Sequence, residues 1–178
     1  MSTPAGMTLR RLDKDAYAGY RLNFDYESPG YYDVQADASA FRLQLVMCQR
    51  PVAKQFEDVL FSPWLEDPAA FGMFDGDLLA GVAEGSREAW NNRFRVSEML
   101  VYPRWRGQGV GHRLMETIIG HGASLGCRMA VLETQSCNVK AIDFYRACGF
   151  SLIGLDMYCY SNHDPDVHEV RLEMGRPL

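Results

Sequence analysis

The stretch that most constrains the fold is Arg-Gly-Gln-Gly-Val-Gly, residues 106–111, in which three glycines alternate with side chains. It follows the apolar run Met99–Tyr102 and precedes apolar residues at helical spacing, so it connects a strand to a helix. Glycine lets backbone N–H groups approach a ligand without a Cβ in the way. At a helix start several of these groups lack an intrahelical partner, and the helix dipole favours an anion. The stretch therefore predicts a strand–loop–helix unit that binds phosphate.

Known phosphate-binding patterns narrow the choice of ligand. A tight turn without a ligand is the alternative, although one glycine would suffice for it. A Walker A loop ends in Gly-Lys-Ser/Thr, whereas here Gly111 precedes His112 and Arg113, which argues against nucleotide hydrolysis. The dinucleotide-binding fingerprint needs a third glycine at the position of His112 and also fails. The pattern that fits is Arg/Gln-x-x-Gly-x-Gly, met by Arg106, Gly109 and Gly111.

Hydrophobic periodicity predicts an α/β domain with a mixed sheet. The first half contains a three-stranded meander, and the second half alternates helices and strands, which indicates crossover connections. The predicted elements are a strand at 7–12, a helix from Asp13 through about Leu22, a surface loop at 23–37, a helix at 38–59, strands at 69–74, 78–90 and 94–102, a helix at about 109–125, a strand at 129–132, a helix at 139–147, and strands at 152–160 and 167–174.

Composition and charge argue against several classes of protein. With 178 residues and 47% apolar content, the chain can form one sizeable core and is not expected to be disordered. The net charge of −5 argues against a nucleic-acid partner and suits a cationic small molecule. The sequence contains no apolar run of about 18 residues and no apolar signal segment, so we expect a cytoplasmic protein with no membrane partner. Five cysteines without C-x-x-C spacing predict reduced thiols and no metal site.

Two motifs resemble those of the GNAT superfamily of N-acetyltransferases. The first is VSEMLVYPRWRGQGVGHRLM, residues 96–115. The second runs from Asn138 to Phe150 and is similar to the pattern N-x-x-A-x-x-F-Y-x-x-x-G-F. The resemblance covers roughly residues 69–174. Because the two motifs lie at the right separation, they identify the chain as a GNAT-like protein far more specifically than either motif alone.

A narrower similarity is to the streptothricin acetyltransferases. It is carried by LETQSCNVKAIDFYRACGF, residues 132–150, by Trp90-Asn91 and by Glu169. Ser97 stands where those proteins often carry a second acid. The similarity implies that the acceptor belongs to the same chemical class as streptothricin, a cationic antibiotic with primary amines.

The GNAT resemblance implies a single domain over residues 1–178. Its central sheet would be mixed and mostly antiparallel, with splayed parallel strands at the centre and helices on both faces. Acetyl-CoA would be the co-substrate, its pyrophosphate on the glycine-loop amides and its pantetheine along the preceding strand. The residues that the resemblance assigns to acetyl-CoA are Leu100, Val101, Arg106, Gly107, Gln108, Gly109, Val110, Gly111 and Asn138. Homodimers are frequent in the superfamily, so a homodimer is a further expectation.

Direct acetyl transfer to an amine needs a base for the ammonium proton and an acid for the departing thiolate. Tyr145 holds the tyrosine position of the second motif and is the predicted acid, with a role as a core aromatic as the alternative. Glu98 is the predicted base, acting directly or through water, because strand alternation places this carboxylate in the apolar row of Val96 and Leu100. An ion pair or solvent contact at a sheet edge is its alternative. Asn138 is expected to cap the following helix.

Acidic, polar and aromatic residues are candidates for binding the acceptor. An acidic, aromatic wall could attract a cation, and polar residues at strand ends suit a site, although solvated surface residues would look the same. The candidates are Asp25, Glu27, Tyr31, Trp90, Glu133 and Gln135. We therefore expect acetyl transfer from acetyl-CoA to a primary amine of a small cation. The most specific form of this prediction is a streptothricin-type antibiotic as the acceptor, which would make the protein an antibiotic-resistance enzyme. A protein N-terminal or lysine acetyltransferase and a non-catalytic acetyl-CoA-binding module are the alternatives.

Overall fold

The computed structural model describes residues 6–178, and these form a mixed α/β structure. The elements in chain order are β1 (Met7–Arg11), α1 (Lys14–Tyr17), β2 (Arg21–Ala36), β3 (Phe41–Val59), β4 (Ala69–Asp75), β5 (Leu78–Glu88), β6 (Arg93–Val101), a 3-10 helix (Pro103–Trp105), α2 (Val110–Ser124), β7 (Met129–Gln135), α3 (Val139–Ala147), β8 (Ser151–Asp156) and β9 (Arg171–Pro177).

The strands form two sheets. The larger has the order β1-β4-β5-β6-β7-β9-β8, and the smaller consists of β2 and β3. β1, β4, β5 and β6 pair antiparallel in turn, as do β8 and β9. β6 pairs with β7 in parallel over the three positions Arg93–Arg95. The predicted fold class, a mixed and mostly antiparallel sheet with a parallel pair and helices, is confirmed.

The chain groups into two compact units, each made of separate segments. The first contains residues up to Phe24, Glu57–Val131 and Arg176–Leu178, and the second contains Asp25–Phe56 and Leu132–Gly175. The chain therefore passes from one unit to the other at four points, each inside a strand: β2, β3, β7 and β9. The expectation of a single domain over residues 1–178 stays a prediction.

The first unit buries apolar side chains against the meander β4–β6 and helix α2. One buried cluster consists of Leu12, Leu22, Leu60, Phe61, Ala70, Phe74, Val82 and Leu100. Helix α2 packs on the same three strands, burying Val110, Leu114, Met115, Ile118 and Ile119. Val110, Leu114 and Ile118 belong to the apolar stripe that predicted the helix, whereas Leu125, the fourth residue of that stripe, is exposed just after the helix ends. The meander and α2 therefore form a rigid support for the loop between them.

Hydrogen bonds from buried polar groups organise the second unit. The Ser28 hydroxyl accepts from Val139 N at 3.3 Å and donates to Gly30 O at 2.8 Å. The Ser136 hydroxyl donates to His168 O at 2.7 Å. Asp164 is buried, and its carboxylate accepts from Tyr160 N at 2.8 Å. These bonds hold the start of α3 and the long loop between β8 and β9.

The prediction for residues 23–59 was wrong. The segment 23–37 is not a loop and 38–59 is not a helix, because both belong to the long strands β2 and β3. Apolar residues at 41, 45, 48, 52 and 56 matched a helical period, but the alternation Phe41, Leu43, Leu45, Met47 is the pattern that the backbone follows. Pro51 is tolerated because β3 lies at a sheet edge.

Smaller corrections concern the ends of elements. Asp13 caps α1 as predicted, accepting from Ala16 N at 3.1 Å, but the helix ends at Tyr17 and Leu22 belongs to β2. Gly19, with φ 76°, turns the chain between them. β8 ends earlier than predicted and β9 begins later than predicted, because the region 157–170 forms a loop anchored by Asp164. The predicted bounds of α3 are confirmed.

Candidate functional site

The glycine loop lies between β6 and α2 in the first unit. Gly107 and Gly109 have φ values of 74° and 81°, the left-handed region that favours glycine. Gly109 is the N-cap of α2 and contributes no side-chain cap, and Arg113 N donates to Gly109 O at 3.1 Å to close the first turn. The N-terminus of α2 therefore presents its first-turn amides without a capping side chain, a geometry suited to a phosphate.

Two side chains of the loop donate hydrogen bonds to backbone carbonyls that precede the loop. Arg106 Nε donates to Val101 O at 2.9 Å, and Gln108 Nε2 donates to Arg104 O at 2.9 Å. These bonds tie the loop back to the end of β6 and to the 3-10 helix. The predicted residues Val110 and Gly111 lie in the first turn of α2. The structure thus brings together the predicted acetyl-CoA residues Leu100–Val101 and 106–111 in one unit.

Strand β6 shows the predicted alternation. Its even-numbered residues Phe94 to Leu100 are buried and its odd-numbered residues are half-buried. Glu98 is only 7% exposed, and its Cα partner on β5 is Glu84. The register between β5 and β6 shifts directly after Glu84, which is the position of a β-bulge. The predicted base is therefore a buried carboxyl group beside an irregular point of the sheet.

Glu84 is a buried acid that the sequence analysis missed. It is 0% exposed, and Oε1 accepts from Phe61 N at 2.7 Å while Oε2 accepts from the Ser97 hydroxyl at 3.3 Å. Burial raises the pKa of Glu84, and these hydrogen bonds oppose the rise. Its sequence signal was one acid in the small-residue run Gly81-Val82-Ala83-Glu84-Gly85.

Tyr145 lies in α3, and Asn138 directly precedes this helix in the second unit. Asn138 is the predicted N-cap, and Oδ1 accepts from Ala141 N at 3.3 Å. The half-buried Tyr145 ring lies 5.5 Å from the Phe144 ring and 6.3 Å from the Phe150 ring, measured between centroids. The aromatic neighbours therefore fix the ring of the predicted acid independently of its hydroxyl group.

A cluster of charged side chains lies across β3, β7 and β9 and the loop before β9, again in the second unit. We call Glu133, Glu169, Glu173, Lys54 and Arg171 the carboxylate cluster. Arg171 Nη2 lies 2.7 Å from Glu133 Oε2 and 3.3 Å from Glu173 Oε2. Lys54 forms an ion pair with Glu169, which raises the pKa of the Lys54 ammonium. Three carboxylates thus face two cations.

Polar and aromatic residues border the carboxylate cluster. Gln135 Nε2 donates to Glu169 Oε2 at 3.5 Å, and Gln135 Oε1 lies 3.7 Å from Cys137 Sγ. The Tyr26 hydroxyl is also 3.7 Å from Cys137 Sγ, and burial raises the pKa of both groups. The Tyr160 hydroxyl donates to Glu133 Oε1 at 3.3 Å. The predicted residues Glu133 and Gln135 therefore do lie in one polar site.

The other predicted acceptor residues lie on β2 and just after β5. Tyr31 stacks on His168, the neighbour of Glu169, with ring centroids 3.5 Å apart. Asp25 and Glu27 are exposed on β2, in alternation with the half-buried Tyr26. Trp90 is 85% exposed in the first unit, where Arg93 lies over its ring at 6.0 Å. Lys54, Glu169 and Tyr26 join Glu133 and Gln135. Tyr26 belongs to the acidic, aromatic stretch that was expected to attract a cation, whereas Lys54 and Glu169 were not proposed for the acceptor.

The profile of the Acetyltransferase (GNAT) family matches residues 38–150, which is more than half of the chain. The chain belongs to the GNAT family. A streptothricin acetyltransferase of Streptomyces lavendulae is 33% identical over 157 residues, covering 82% of this chain and 82% of that protein. A streptothricin acetyltransferase of Escherichia coli is 38% identical over 98 residues, covering 53% of this chain and 54% of the relative. The crystal structure of nourseothricin acetyltransferase superposes with a TM-score of 0.79 at 28% identity, covering 97% of this chain and 99% of that one.

The expected family and enzyme class are therefore confirmed. This GNAT enzyme is an acetyl-CoA-dependent N-acetyltransferase related to streptothricin acetyltransferases. Its open, glycine-capped helix N-terminus fits the pyrophosphate of acetyl-CoA, since a Cβ built on Gly107 or Gly109 would meet no atom within 4 Å. Within residues 6–178, no helix is long and apolar enough to cross a membrane, and no group of three or more His, Cys, Asp or Glu side chains is arranged to hold a metal.

Proposed function

We propose that this GNAT enzyme acetylates a primary amine of a small cationic molecule, with a streptothricin-type antibiotic as the acceptor. The similarity to streptothricin acetyltransferases supports the antibiotic class. The carboxylate cluster supports the cationic character of the acceptor, and it is the observation that carries the proposal. Such an activity would confer antibiotic resistance by removing a positive charge from the drug.

The carboxylates of the cluster favour a cationic acceptor. Lys54 pairs with Glu169, and Arg171 bridges Glu133 and Glu173. The cluster is only partly exposed to water, which weakens the screening of its field. A protonated amine of the acceptor would be attracted by these carboxylates, whereas an acidic acceptor would be repelled.

The chain offers a base and an acid for the transfer. Acetyl-CoA supplies the activated acetyl thioester. Glu98 accepts, directly or through water, the proton that the acceptor ammonium must lose before its nitrogen attacks the thioester carbonyl. The Tyr145 hydroxyl donates a proton to the sulfur as the C–N bond forms and the C–S bond breaks, and the second proton that the nitrogen loses on becoming an amide returns to the phenolate. The amides of residues 107–111, with Leu100, Val101 and Asn138, hold acetyl-CoA during these proton transfers.

The decisive experiment measures acetyl-CoA-dependent thiol release with a panel of amines. The panel contains streptothricin, simple diamines, a peptide with a free N-terminus and a lysine peptide. We expect the highest kcat/KM for streptothricin, with acetylation of a primary amine shown by mass spectrometry. Turnover of the peptides alone would instead support a protein acetyltransferase. Acetyl-CoA binding without turnover of any amine would support a non-catalytic module.

The substitution Glu169→Gln tests the carboxylate cluster. It removes one carboxylate and leaves the Lys54 ammonium uncompensated, so the acceptor KM should rise by about tenfold, corresponding to about 1.4 kcal/mol. The KM for acetyl-CoA should stay unchanged, and the effect should shrink with added salt. Asp166→Asn is the matched control, because Asp166 is an exposed carboxylate in the same loop. An acceptor KM equal to that of the wild type would contradict the cationic-acceptor proposal.

A further inference from the structure

The chain enters the glycine loop through the 3-10 helix Pro103–Trp105, and the side chain of Trp105 anchors this helix. Trp105 is half-buried, whereas the other residues of the segment 103–109 are exposed. Its indole Nε1 donates to Asp75 Oδ2 at 3.0 Å. Asp75 is the last residue of β4 and belongs to the same compact unit as the loop. A side chain of the meander β4–β6 therefore holds the chain two residues before Gly107.

Hydrogen bonds connect the 3-10 helix to the glycine loop. Gln108 Nε2 donates to Arg104 O at 2.9 Å, and Arg106 N donates to Pro103 O at 3.3 Å. The Arg104 guanidinium also lies over the Trp105 ring, 5.3 Å from its centroid. Two loop residues are thus bonded to the helix that Trp105 anchors. A shift of the indole would move the two acceptor carbonyl groups and, with them, the loop.

The glycine loop depends on such an anchor because its glycines contribute no packing. Gly107 and Gly109 have no side chain, and a Cβ built on either would meet no atom within 4 Å. Glycine also leaves the backbone free to adopt many conformations. A binding site gains affinity when its groups are held in the bound geometry before the ligand arrives. The hydrogen bond between Asp75 and Trp105 provides a fixed point outside the loop.

We propose, building on the proposed role of this loop in binding the pyrophosphate, that Asp75 is a positioning residue for acetyl-CoA. Its carboxylate fixes the Trp105 indole and so orders the glycine loop. Charge alone would give Asp75 the opposite effect, because a carboxylate near the loop repels the anionic co-substrate. An uncharged residue at position 75 would then strengthen binding. Positioning instead predicts weaker binding, so the sign of the change separates the two roles.

Calorimetric titration with acetyl-CoA tests this role without an acceptor. Asp75→Ala should raise the Kd for acetyl-CoA about tenfold, as expected for the loss of a hydrogen bond to a charged group. A pantetheine acetyl thioester, which lacks the pyrophosphate, should bind this variant as it binds the wild type. Asp75→Asn should restore most of the affinity, because an amide oxygen can accept from the indole N–H. Asp77→Ala is the matched control at an exposed aspartate of the same hairpin, and its Kd should not rise.

Trp105→Phe removes the same hydrogen bond from the donor side and keeps an aromatic ring for Arg104. It should match Asp75→Ala in its Kd for acetyl-CoA, and the double variant should lose no more affinity than either single variant. Asp75→Ala protein that binds acetyl-CoA as tightly as the wild type, or more tightly, would overturn the positioning role. Additive losses in the double variant would overturn it as well.

Gly109→Ala distinguishes a failure of this role from a failure of the proposed pyrophosphate site. If Gly109→Ala weakens acetyl-CoA selectively and Asp75→Ala does not, only the positioning role is overturned. If Gly109→Ala weakens acetyl-CoA and the pantetheine thioester equally, the loop does not hold the pyrophosphate, and both proposals are overturned.

Discussion

Glu84 and Glu98 are two carboxyl groups that adjacent strands remove from water. Burying a carboxyl group is costly unless its oxygens are hydrogen-bonded. Glu84 satisfies both oxygens, and one of its partners is the N–H of Phe61, which has a φ of 57°. Because a left-handed phenylalanine is uncommon, this bond holds the chain in an otherwise unfavourable turn after β3. Glu84 therefore holds the backbone of Phe61 in place. Glu84 itself lies on β5, beside strand β6, which carries the proposed base Glu98.

The substitution Glu84→Gln should change the pH dependence of stability. Burial raises the pKa of Glu84 in the folded state above its ordinary value of 4.5, so the folded protein binds the proton more tightly than the unfolded chain. The contribution of Glu84 is fully present below that ordinary value and is lost as pH rises through the higher folded pKa. Glutamine can still accept from Phe61 N–H and does not ionise. The variant should therefore gain free energy of unfolding relative to the wild type as pH rises, measured by urea denaturation.

Glu88→Gln provides a control of opposite sign on the same strand. Burial opposes ionisation of Glu88, but hydrogen bonds from Asn91 and Arg95 outweigh it and lower the pKa. Its stabilising contribution is therefore present above its ordinary pKa and is lost as pH falls through the lowered value. Glu88→Gln should lose stability relative to the wild type at neutral pH and approach it in acid. Parallel pH trends for both variants would contradict the assignment for Glu84.

Tyr145→Phe tests the proposed acid. The ring contacts with Phe144 and Phe150 do not involve the hydroxyl, so the variant should fold normally. Loss of a general acid should lower the single-turnover rate by about 10²–10⁴, with little change in acetyl-CoA affinity. Tyr158→Phe, at an exposed tyrosine, is the matched control. Full single-turnover activity in Tyr145→Phe would leave Tyr145 a packing residue.

At the scale of elements, helix α2 has a glycine with positive φ at each end. Gly109 precedes the helix with a φ of 81° and Gly126 follows it with a φ of 72°, and a Cβ on either would meet no atom within 4 Å. A Gly→Ala substitution at either end thus introduces backbone strain without a steric clash, at about 1–2 kcal/mol. The two ends differ in dipole sign, since only the N-terminus attracts an anion.

This symmetry provides a matched pair of variants. Gly109→Ala and Gly126→Ala should lose similar free energies of unfolding. Only Gly109→Ala should weaken acetyl-CoA binding, measured by calorimetry, and a pantetheine thioester without the pyrophosphate should lose less. Equal losses for the two ligands would show that the loop does not hold the pyrophosphate.

The elements also show which patterns predicted structure reliably. Helices α2 and α3 were predictable because local signals agree: apolar stripes at helical spacing, Gly109 or Asn138 at the start and a glycine shortly after the end. The hairpin β2–β3 was not predicted, because the apolar residues of β3 also recur at helical spacing and the pairing of β3 with β2, which stabilises the strand, is not reported by local periodicity. Residues 157–160 and 167–170 were predicted as the ends of two strands, but hydrogen bonds from Tyr160 N and Glu169 N to Asp164 hold them in the loop.

At the scale of the whole molecule, the residues of the candidate site also divide into those that a local motif predicted and those that it did not. The glycine loop, Glu98 and Tyr145 each lie in a short motif and could be predicted from it. Lys54 and Glu169 were not proposed for the site because they pair across 115 positions of the chain. Glu84 likewise depends on a bond to Phe61, which is 23 positions away. Residues whose role arises from distant pairing are therefore difficult to recognise from local patterns.

The four points at which the chain passes between its two compact units have a practical consequence for anyone who wishes to express a smaller version of this enzyme. Neither unit is encoded by one continuous piece of the gene, and every passage lies within β2, β3, β7 or β9. A truncation at any of them would cut a strand and leave backbone donors and acceptors without their ladder. We therefore expect shortened versions to be recovered only as insoluble protein. A split-protein complementation design should instead be cut at the exposed hairpin turn Gly76–Asp77.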